Sequence, residues 1–299
     1  MCHVAFLSTD NLEAFFVYDE LLLPYFNAEG WKVSTVSWHA KQHDWSQYDY
    51  VVVRSTWDYQ QYPEAFLEVL AQIDTSSAIL LNPLPLMRWN IEKYYLQDLA
   101  AKGCLTVPTC WQSRFNEDVI REQFELLESN KLVIKPVLSA NADDTFVLTP
   151  ECIHEYVDRL KHTFQSRAFM VQPFLPSVVE EGEYSLFYFG GVLSHAILKK
   201  PAEGDFRVQE EHGGQLKLVT PTAEQCSVAQ SALENMPVPA LYARVDLIDL
   251  SGAWAVMELE LIEPSLYFNL DEASCQRFVS AMLNYHATQN TQHAHKSAI

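Results

Sequence analysis

The chain has 299 residues, with 20 basic and 39 acidic side chains and a formal net charge of -19. This acidity argues against nucleic acids and anionic membranes as partners, because both require a basic surface. The nine glycines form neither the GxGxxG dinucleotide fingerprint nor the GxxxxGK[ST] phosphate loop. No run of 18 apolar residues predicts a membrane span.

The six cysteines are scattered without a CxxC pair, which indicates neither a disulfide framework nor a zinc site. The first ten residues lack the pattern of a secretory signal. Reduced thiols and a cytoplasmic location are therefore expected.

Residues 1–82 alternate strand and helix patterns, which predicts an open parallel α/β unit. Asp10 and Glu13 have capping-box spacing, which predicts a helix from there toward Gly30. Residues 51–53 are apolar at successive positions, as expected for a strand covered on both faces. The predicted strands are residues 4–7, 32–38, 50–53 and 79–81, and a second helix is predicted at 64–73.

The run Arg54-Ser55-Thr56-Trp57-Asp58-Tyr59 follows the third predicted strand. Ligands of open α/β sheets bind beyond the carboxyl ends of the strands, so the run is a candidate binding segment. A loop whose aromatic side chains pack locally is the alternative interpretation.

Residues 83–110 predict a connector containing one helix, with Asn90 as its N-cap and Gly103 as its C-terminal glycine. The following segment has the size of a small α+β lid. Its predicted helices are residues 117–127 and 151–160, and its predicted strands are 132–136, 146–148 and 169–172.

The remainder of the chain is rich in hairpin signals. Gly190-Gly191 and Ser251-Gly252 each separate two strand patterns, at 184–189 and 192–198 and at 242–250 and 254–262. A helix is predicted at 272–285, and the polar composition after it predicts a disordered tail.

Side-chain alternation in the last hairpin pairs Val245 with Leu259 and Asp246 with Glu258, across a loop of three residues, 251–253.

Asp246, Glu258 and Glu260 then share one face of the sheet. Like charges across a sheet are destabilising, so a bound cation is expected to neutralise them. Oxygen ligands suit Mg²⁺. A solvated acidic face with Arg244 as its partner is the alternative.

A magnesium site of this kind requires a phosphate ligand, and phosphates require basic side chains. Lys93, Lys135, Lys199 and Arg207 are candidates. Lys93 and Lys135, each taken alone, are more typical of surface lysines. Lys199, Lys200 and Arg207 cluster around a loop that ends in Gly213-Gly214, which favours a phosphate site more strongly. Gln172-Pro173-Phe174-Leu175 could contact a purine or serve as a plain hinge between domains.

Five short motifs in this order resemble the ATP-grasp superfamily of carboxylate-amine ligases. They are the helix of Lys93, Val133-Ile134-Lys135-Pro136, Gln172-Pro173-Phe174-Leu175, Ala243-Arg244-Val245-Asp246 and Glu258-Leu259-Glu260. The resemblance implies an α/β and α+β fold with an N-terminal open parallel domain, a small lid and a C-terminal antiparallel-sheet domain. The expected boundaries are 1–105, 106–175 and 176–290, followed by a disordered tail at 291–299.

Two groups of the superfamily compete. Asp205-Phe206-Arg207-Val208-Gln209 with Gly213-Gly214 is similar to the ribosomal-protein glutamate ligases. The runs at 54–59, 135–140 and 258–266 are similar to the D-cycloserine synthetase (O-ureido-D-serine cyclo-ligase) group. These three runs are longer and more distinctive, so we prefer the second group.

The sequence departs from the superfamily pattern at two places. The loop after Lys135 contains no glycine, although Ser139, Ala140 and Ala142 are small, and Asp143-Asp144 would repel phosphate unless turned away. Glu260 stands where most relatives have asparagine, which favours two Mg²⁺ ions.

The resemblance implies that ATP phosphorylates a small amino-acid-like carboxylate and that a nitrogen nucleophile then displaces phosphate. The roles that it implies are catalysis by Arg207 and Arg244, ATP binding by Lys93, Lys135, Ser139, Gln172, Phe174, Leu175, Glu183 and Lys199, magnesium binding by Asp246, Glu258 and Glu260, and substrate binding by Arg54, Ser55, Asp58, Ser139, Ala140 and Glu263.

Several alternatives stay open at this point. Ring closure and ligation of an amino acid to a peptide or protein both fit the motifs, and the oligomeric state, including a homodimer, is open. A non-catalytic nucleotide-binding protein is a further alternative. Against it stands the complete set of Lys93, Lys135, Arg244, Asp246, Glu258 and Glu260. A nicotinamide-dependent oxidoreductase is disfavoured, because the turn Ser8-Thr9-Asp10-Asn11 has no glycine.

Overall fold

The computed structural model describes residues 1–13, 15–140 and 142–296. A parallel sheet opens the chain, with strands β1 (His3–Ser8), β2 (Lys32–Ser37), β3 (Tyr50–Ser55) and β4 (Ile79–Leu81). The strand order is β2-β1-β3-β4, and helices α1 (Leu23–Ala28) and α2 (Pro63–Thr75) connect the strands. Every residue of β3 is buried, which confirms the predicted central strand.

The helix predicted to begin at Asp10 is wrong. Helical structure begins only at Asp19–Leu22, a 3₁₀ turn that leads into α1. Before it, the side chain of Asn11 accepts a 2.8 Å hydrogen bond from the Glu13 amide, a local bond that competes with helix formation. Phe15 packs against Trp57 instead of continuing a helix.

Two helices, α3 (Leu84–Asn90) and α4 (Tyr95–Ala101), form the connector. Asn90 is not the predicted N-cap, because it ends α3 and its amide bonds the backbone of Leu259 and Leu261. Gly103 follows α4 with φ +90°, as predicted for a C-terminal glycine.

A second sheet is antiparallel and contains β5 (Cys110–Gln112), β6 (Leu132–Pro136), β7 (Phe146–Leu148) and β8 (Phe169–Pro173) in the order β5-β8-β6-β7. Helices α5 (Glu117–Leu126) and α6 (Ile153–Thr163) pack on it around a core of its own. This layer is the predicted α+β lid.

The third sheet has five antiparallel strands: β9 (Glu183–Phe189), β10 (Val192–Lys200), β11 (Gln215–Val219), β12 (Tyr242–Leu250) and β13 (Ala253–Glu260). Their order is β11-β10-β9-β12-β13. The short helix α7 (Ser177–Glu180), together with α8 (Ala223–Glu234) and α9 (Glu272–Lys296), completes the chain.

The register predicted for β12 and β13 is confirmed, since Val245 pairs with Leu259 and Asp246 pairs with Glu258. The predicted three-residue loop is wrong. Past Asp246 the pairing skips Met257, and this β-bulge shifts the register so that a two-residue turn, Ser251-Gly252, closes the hairpin.

The last helix is longer than predicted, because α9 continues beyond Tyr285 to Lys296. Directly after Tyr285 the helix contacts the first sheet and the residue before β2: His286 Nδ1 lies 2.8 Å from the Tyr50 hydroxyl, and its ring meets that of Trp31 edge-on. The predicted disordered tail, 291–299, is thus helical as far as Lys296, and 297–299 lie outside the described residues.

The first and third sheets share a hydrophobic core, which includes Phe6 of β1, Phe187 of β9 and Phe278 of α9. Asn82 joins the same sheets through its fully buried side chain, which bonds the backbone of Tyr242 and Leu261. Helices that could span a membrane are not found among the described residues. The predicted domain boundaries remain predictions.

Candidate active site

A cleft of about 210 Å³ lies where the three sheets and the connector meet. It contains most of the residues that the sequence pattern singled out. Those that line it are Lys93, Lys135, Ser139, Ala140, Gln172, Phe174, Leu175, Glu183, Lys199, Arg207, Arg244, Glu258, Glu260 and Glu263.

One end of the cleft is apolar with a polar rim. Phe174 and Leu175 lie at the junction between the second and third sheets, and Lys131 Nζ sits 3.8 Å from the centre of the Phe174 ring. The Gln172 amide donates a 2.9 Å hydrogen bond to Thr109 Oγ1. Apolar walls with a few placed polar groups suit a flat heterocycle.

Lys93 stands immediately before α4 and is buried. Its Nζ lies 2.8 Å from Glu258 Oε1 and donates a 3.0 Å hydrogen bond to the Ser139 carbonyl. Burial works against the negative charge of Glu258, but Lys93 and Lys135 outweigh it and lower the pKa of this carboxyl.

Lys135 projects into the cleft from β6, where alternation turns Ile134 into the core. Burial lowers its pKa and Lys93 adds to the effect, while Glu258 opposes both. Two lysines therefore share one nearby carboxylate, which leaves positive charge for an anionic ligand.

Lys199 belongs to a buried ion-pair network. Its Nζ lies 2.7 Å from Glu183 Oε1 and 3.5 Å from Asp246 Oδ1. Burial and Arg244 disfavour the lysine charge, but the two carboxylates prevail and raise its pKa. Glu183, expected to bind ATP, is thus paired with Lys199.

Arg244 bridges two of the predicted metal ligands. Its guanidinium donates to both carboxylate oxygens of Asp246, at 2.8–3.1 Å, and also pairs with Glu260. Asp246 accepts a further 2.5 Å bond from Ser185. Burial raises the pKa of Asp246, but Arg244 and Lys199 reverse this and lower it to about 2.

Burial raises the pKa of Glu260 to about 8, against the opposing effect of Arg244. The cations of the protein therefore offset only part of the free-energy cost of ionising this buried carboxyl.

The predicted metal cluster of three carboxylates is not preformed. Asp246 does not line the cleft, and among residues 1–13, 15–140 and 142–296 no three His, Cys, Asp or Glu side chains are arranged to hold a metal. Lysine and arginine side chains, instead of a metal, offset the repulsion among these carboxylates. Arg244 pairs with Asp246 and Glu260, as the alternative interpretation of the sequence expected. Glu258 and Glu260 are the pair that faces the cleft.

The loop after β6 covers the cleft with small side chains. Ser139, Ala140 and Ala142 line it, whereas Asp144 turns away and pairs with Arg167 at 2.6 Å. The predicted repulsion of phosphate by Asp144 is removed by this orientation.

Arg207 reaches the cleft from a loop between β10 and β11. Asp205 holds its guanidinium at 2.7 Å, and the side chain is 39% exposed. The loop closes on itself at Gly214, where a Cβ atom would lie 2.1 Å from the Val208 carbonyl oxygen.

The run at 54–59 contributes to the site differently from the prediction. Arg54 is buried against Asp19 at 2.9 Å, and Asp58 accepts bonds from Trp38 and His39 at 2.6 and 2.7 Å. Neither residue lines the cleft, nor does the buried Ser55.

Other aromatic residues of this region line the cleft and were not assigned a role from the sequence. Trp57 and Tyr59 belong to the run at 54–59, so the aromatic content of that run could have predicted their place in the cleft. The sequence around Phe15 and Tyr267 does not predict theirs, because it depends on loop conformation.

The three-layer architecture and the lysine and carboxylate cleft define an ATP-grasp ligase. The solved ATP-grasp ligase PsnB has the same fold, with a TM-score of 0.65 at 14% identity, over 94% of this chain and 99% of that one. The crystal structure of D-cycloserine synthetase DcsG superposes with a TM-score of 0.83 at 27% identity, covering 95% of this chain and 99% of that chain.

The family described as D-cycloserine synthetase DcsG, N-terminal domain, matches residues 4–82. The cycloserine biosynthesis protein DcsG of Streptomyces lavendulae is 30% identical over 273 residues, which cover 82% of this chain and 86% of the relative. The chain belongs to the D-cycloserine synthetase family of ATP-grasp ligases. The predicted fold and the predicted ATP-dependent ligase activity are thereby confirmed.

Proposed function

We propose that this ligase uses ATP and Mg²⁺ to activate the carboxylate of a small amino-acid-like molecule, and that a nitrogen of the same molecule then closes a ring. The observation that carries the proposal is the cleft in which Lys93, Lys135, Glu258 and Glu260 meet. The similarity of this chain to a D-cycloserine synthetase over nearly its whole length supports ring closure.

The chemistry of the residues along the cleft suits a nucleotide. Phe174 and Leu175 offer the base an apolar slot, and Gln172 offers it a polar edge. Lys93 and Lys135 supply positive charge for the phosphates. The small side chains of the loop after β6 let its backbone approach them, which takes the place of glycine.

The cleft carboxylates fit magnesium bound together with phosphates. Mg²⁺ commonly takes one or two carboxylates and completes its shell with water and phosphate oxygens, and Glu258 and Glu260 face the cleft as such a pair. Two ions are proposed, because two carboxylates stand here and burial makes the charge of Glu260 costly. When bound, the metal neutralises charge on the transferring phosphoryl group.

The protein side chains provide positioning and charge stabilisation. Arg244 and Arg207 face the cleft where the phosphoryl group moves to the substrate carboxylate. The acyl phosphate so formed is attacked by nitrogen, the carbon–oxygen bond to phosphate breaks, and the nitrogen loses a proton. Covering the cleft with the loop at 136–145 keeps water from the acyl phosphate.

The test measures ADP and phosphate release with ATP, Mg²⁺ and O-ureido-D-serine, beside a panel of D-amino acids and dipeptide precursors. A product no heavier than the substrate, formed without a second amine, supports ring closure, whereas added amine mass indicates intermolecular ligation. Lys135→Met should abolish turnover, and the exposed Lys161→Met serves as its matched control. Tight ATP binding without turnover of any carboxylate would instead indicate a nucleotide-binding protein.

A further inference from the structure

Glu263, like Glu211, differs from three other acidic residues that line the cleft. Glu183, Glu258 and Glu260 each form an ion pair with a lysine or an arginine. No lysine, arginine or histidine in the described part of the chain forms an ion pair with Glu263. Its carboxyl group thus lines the cleft without an ion-pair partner among the described residues.

The surroundings of Glu263 are aromatic. Tyr59 stands close enough to the Glu263 carboxyl to oppose the rise of its pKa. Trp57 and Phe15, whose ring centres are 5.0 Å apart, line the same cleft. Aromatic faces attract cations, so the cleft combines two features that favour a positively charged ligand.

The backbone that carries Glu263 is held in place from the first sheet. Trp57 Nε1 donates a 2.9 Å hydrogen bond to the Glu263 carbonyl, and Arg54 donates a 3.3 Å bond to the Pro264 carbonyl. Tyr242 donates to the neighbouring carbonyl of Ile262 at 2.9 Å. The run at 54–59 therefore acts by positioning Glu263.

Glu263 lies close to the reacting centre along the chain. It is three residues beyond Glu260, and three residues span about 10 Å at most. Burial raises its pKa to about 7, although Tyr59 and Lys93 oppose this effect. A bound cation would offset the cost of keeping the carboxylate charged.

We propose that Glu263, together with Tyr59 and the rings of Trp57 and Phe15, binds the ammonium group of the substrate. A primary ammonium has three donors and is small enough to reach a carboxylate between aromatic walls. The site would select amino acids against otherwise identical acids that lack the amine. This inference rests on the proposed function and identifies the group by which its substrate is recognised.

The experiment compares two ligands that differ in one group. O-Ureido-D-serine carries the α-ammonium, and 3-(ureidooxy)propanoate lacks it. Dissociation constants are measured by calorimetry with Mg²⁺ and a non-hydrolysable ATP analogue. We expect the wild-type protein to prefer the amine by about 30-fold or more, as for a charge-assisted hydrogen bond, and Glu263→Gln to reduce the preference below about 3-fold.

Kinetics separate ammonium binding from other roles of Glu263. We expect Glu263→Gln to raise KM with little change in kcat, because the contact exists before and during the reaction. A loss confined to kcat would overturn the proposal and indicate proton transfer by Glu263. An unchanged preference for the amine would overturn it as well.

Tyr59→Phe tests the same site if Glu263→Gln does not fold. It keeps the ring and removes one hydroxyl, so the preference should fall about 3-fold to 10-fold. The exposed Glu29→Gln is the matched control and should behave as wild type. Equal binding of both ligands, or binding of neither, overturns the ammonium site. ADP release with another carboxylate would still leave the proposed ligase function standing.

Discussion

The Nζ atom of Lys93 lies 2.8 Å from Oε1 of Glu258, across the part of the cleft assigned to the phosphates. Each partner has a second ligand in the proposed function, phosphate for the lysine and magnesium for the glutamate. The two side chains therefore neutralise each other's charge here, and in the proposed function they separate when nucleotide and metal bind together.

Glu258→Gln should change ATP affinity in opposite directions with and without magnesium. Without the metal, the variant should bind ATP about tenfold more tightly, because a repelling carboxylate that also holds Lys93 is gone. With the metal, it should bind about tenfold more weakly, because a metal ligand is lost. A tenfold change corresponds to about 1.4 kcal/mol.

Calorimetry in EDTA and in excess Mg²⁺ measures both constants. Glu117→Gln is the control, since Glu117 forms a surface ion pair with Arg121 at 2.7 Å. A change of the same sign under both conditions would show that Glu258 has no part in metal binding.

Asn82→Asp should lower the free energy of unfolding by about 3 kcal/mol. The Asn82 amide nitrogen donates to two carbonyls at 2.8 and 2.9 Å, and an aspartate would set a carboxylate oxygen against both. Urea unfolding measures the change. Asn116→Asp is the matched control and should be nearly neutral, because aspartate is an equally good cap for α5.

Gly214→Ala should disturb the loop that carries Arg207. The added Cβ would lie 2.1 Å from the Val208 carbonyl oxygen, so the loop backbone must move. We expect destabilisation of about 1–3 kcal/mol and at least a tenfold loss of kcat, with little change in ATP affinity. Gly204→Ala is the control in the same loop. Its φ of +84° strains an alanine and should cost about 1 kcal/mol of stability, but the added Cβ meets no neighbour within 4 Å, so kcat should survive.

His195 should make the protein less stable in mild acid. Burial lowers the pKa of this histidine from 6.5 to about 4, so the unfolded chain binds a proton more readily than the folded one. The stabilisation is complete above pH 6.5 and is lost as the pH falls toward 4, with about 2 kcal/mol lost at pH 5.

His195→Gln removes this titration while retaining a donor for the Leu266 carbonyl. Urea unfolding of both proteins at pH 7.5 and pH 5 isolates the histidine, because other titrating groups contribute equally to each. An equal loss of stability in both proteins would disprove the assignment.

The amino-acid pattern by itself determined most of the strands, their faces and the register that pairs Asp246 with Glu258, but it missed β5 and β11. Periodicity settles these features, because a side chain's face follows from the position of its residue in a strand. The lysines and carboxylates of the cleft were also visible in the sequence, since their residue types and their order along the chain carried the resemblance.

Tertiary structure alone decided which charges became partners. Arg54 was expected to bind the substrate, but it forms an ion pair with Asp19. Asp246 was expected to bind metal, but it pairs with Arg244 and Lys199. The extra residue of the last hairpin was placed in a bulge at Met257 and not in its turn. Which charged side chains pair depends on which residues, distant in sequence, the fold brings together in a buried space. A local sequence pattern does not contain this information.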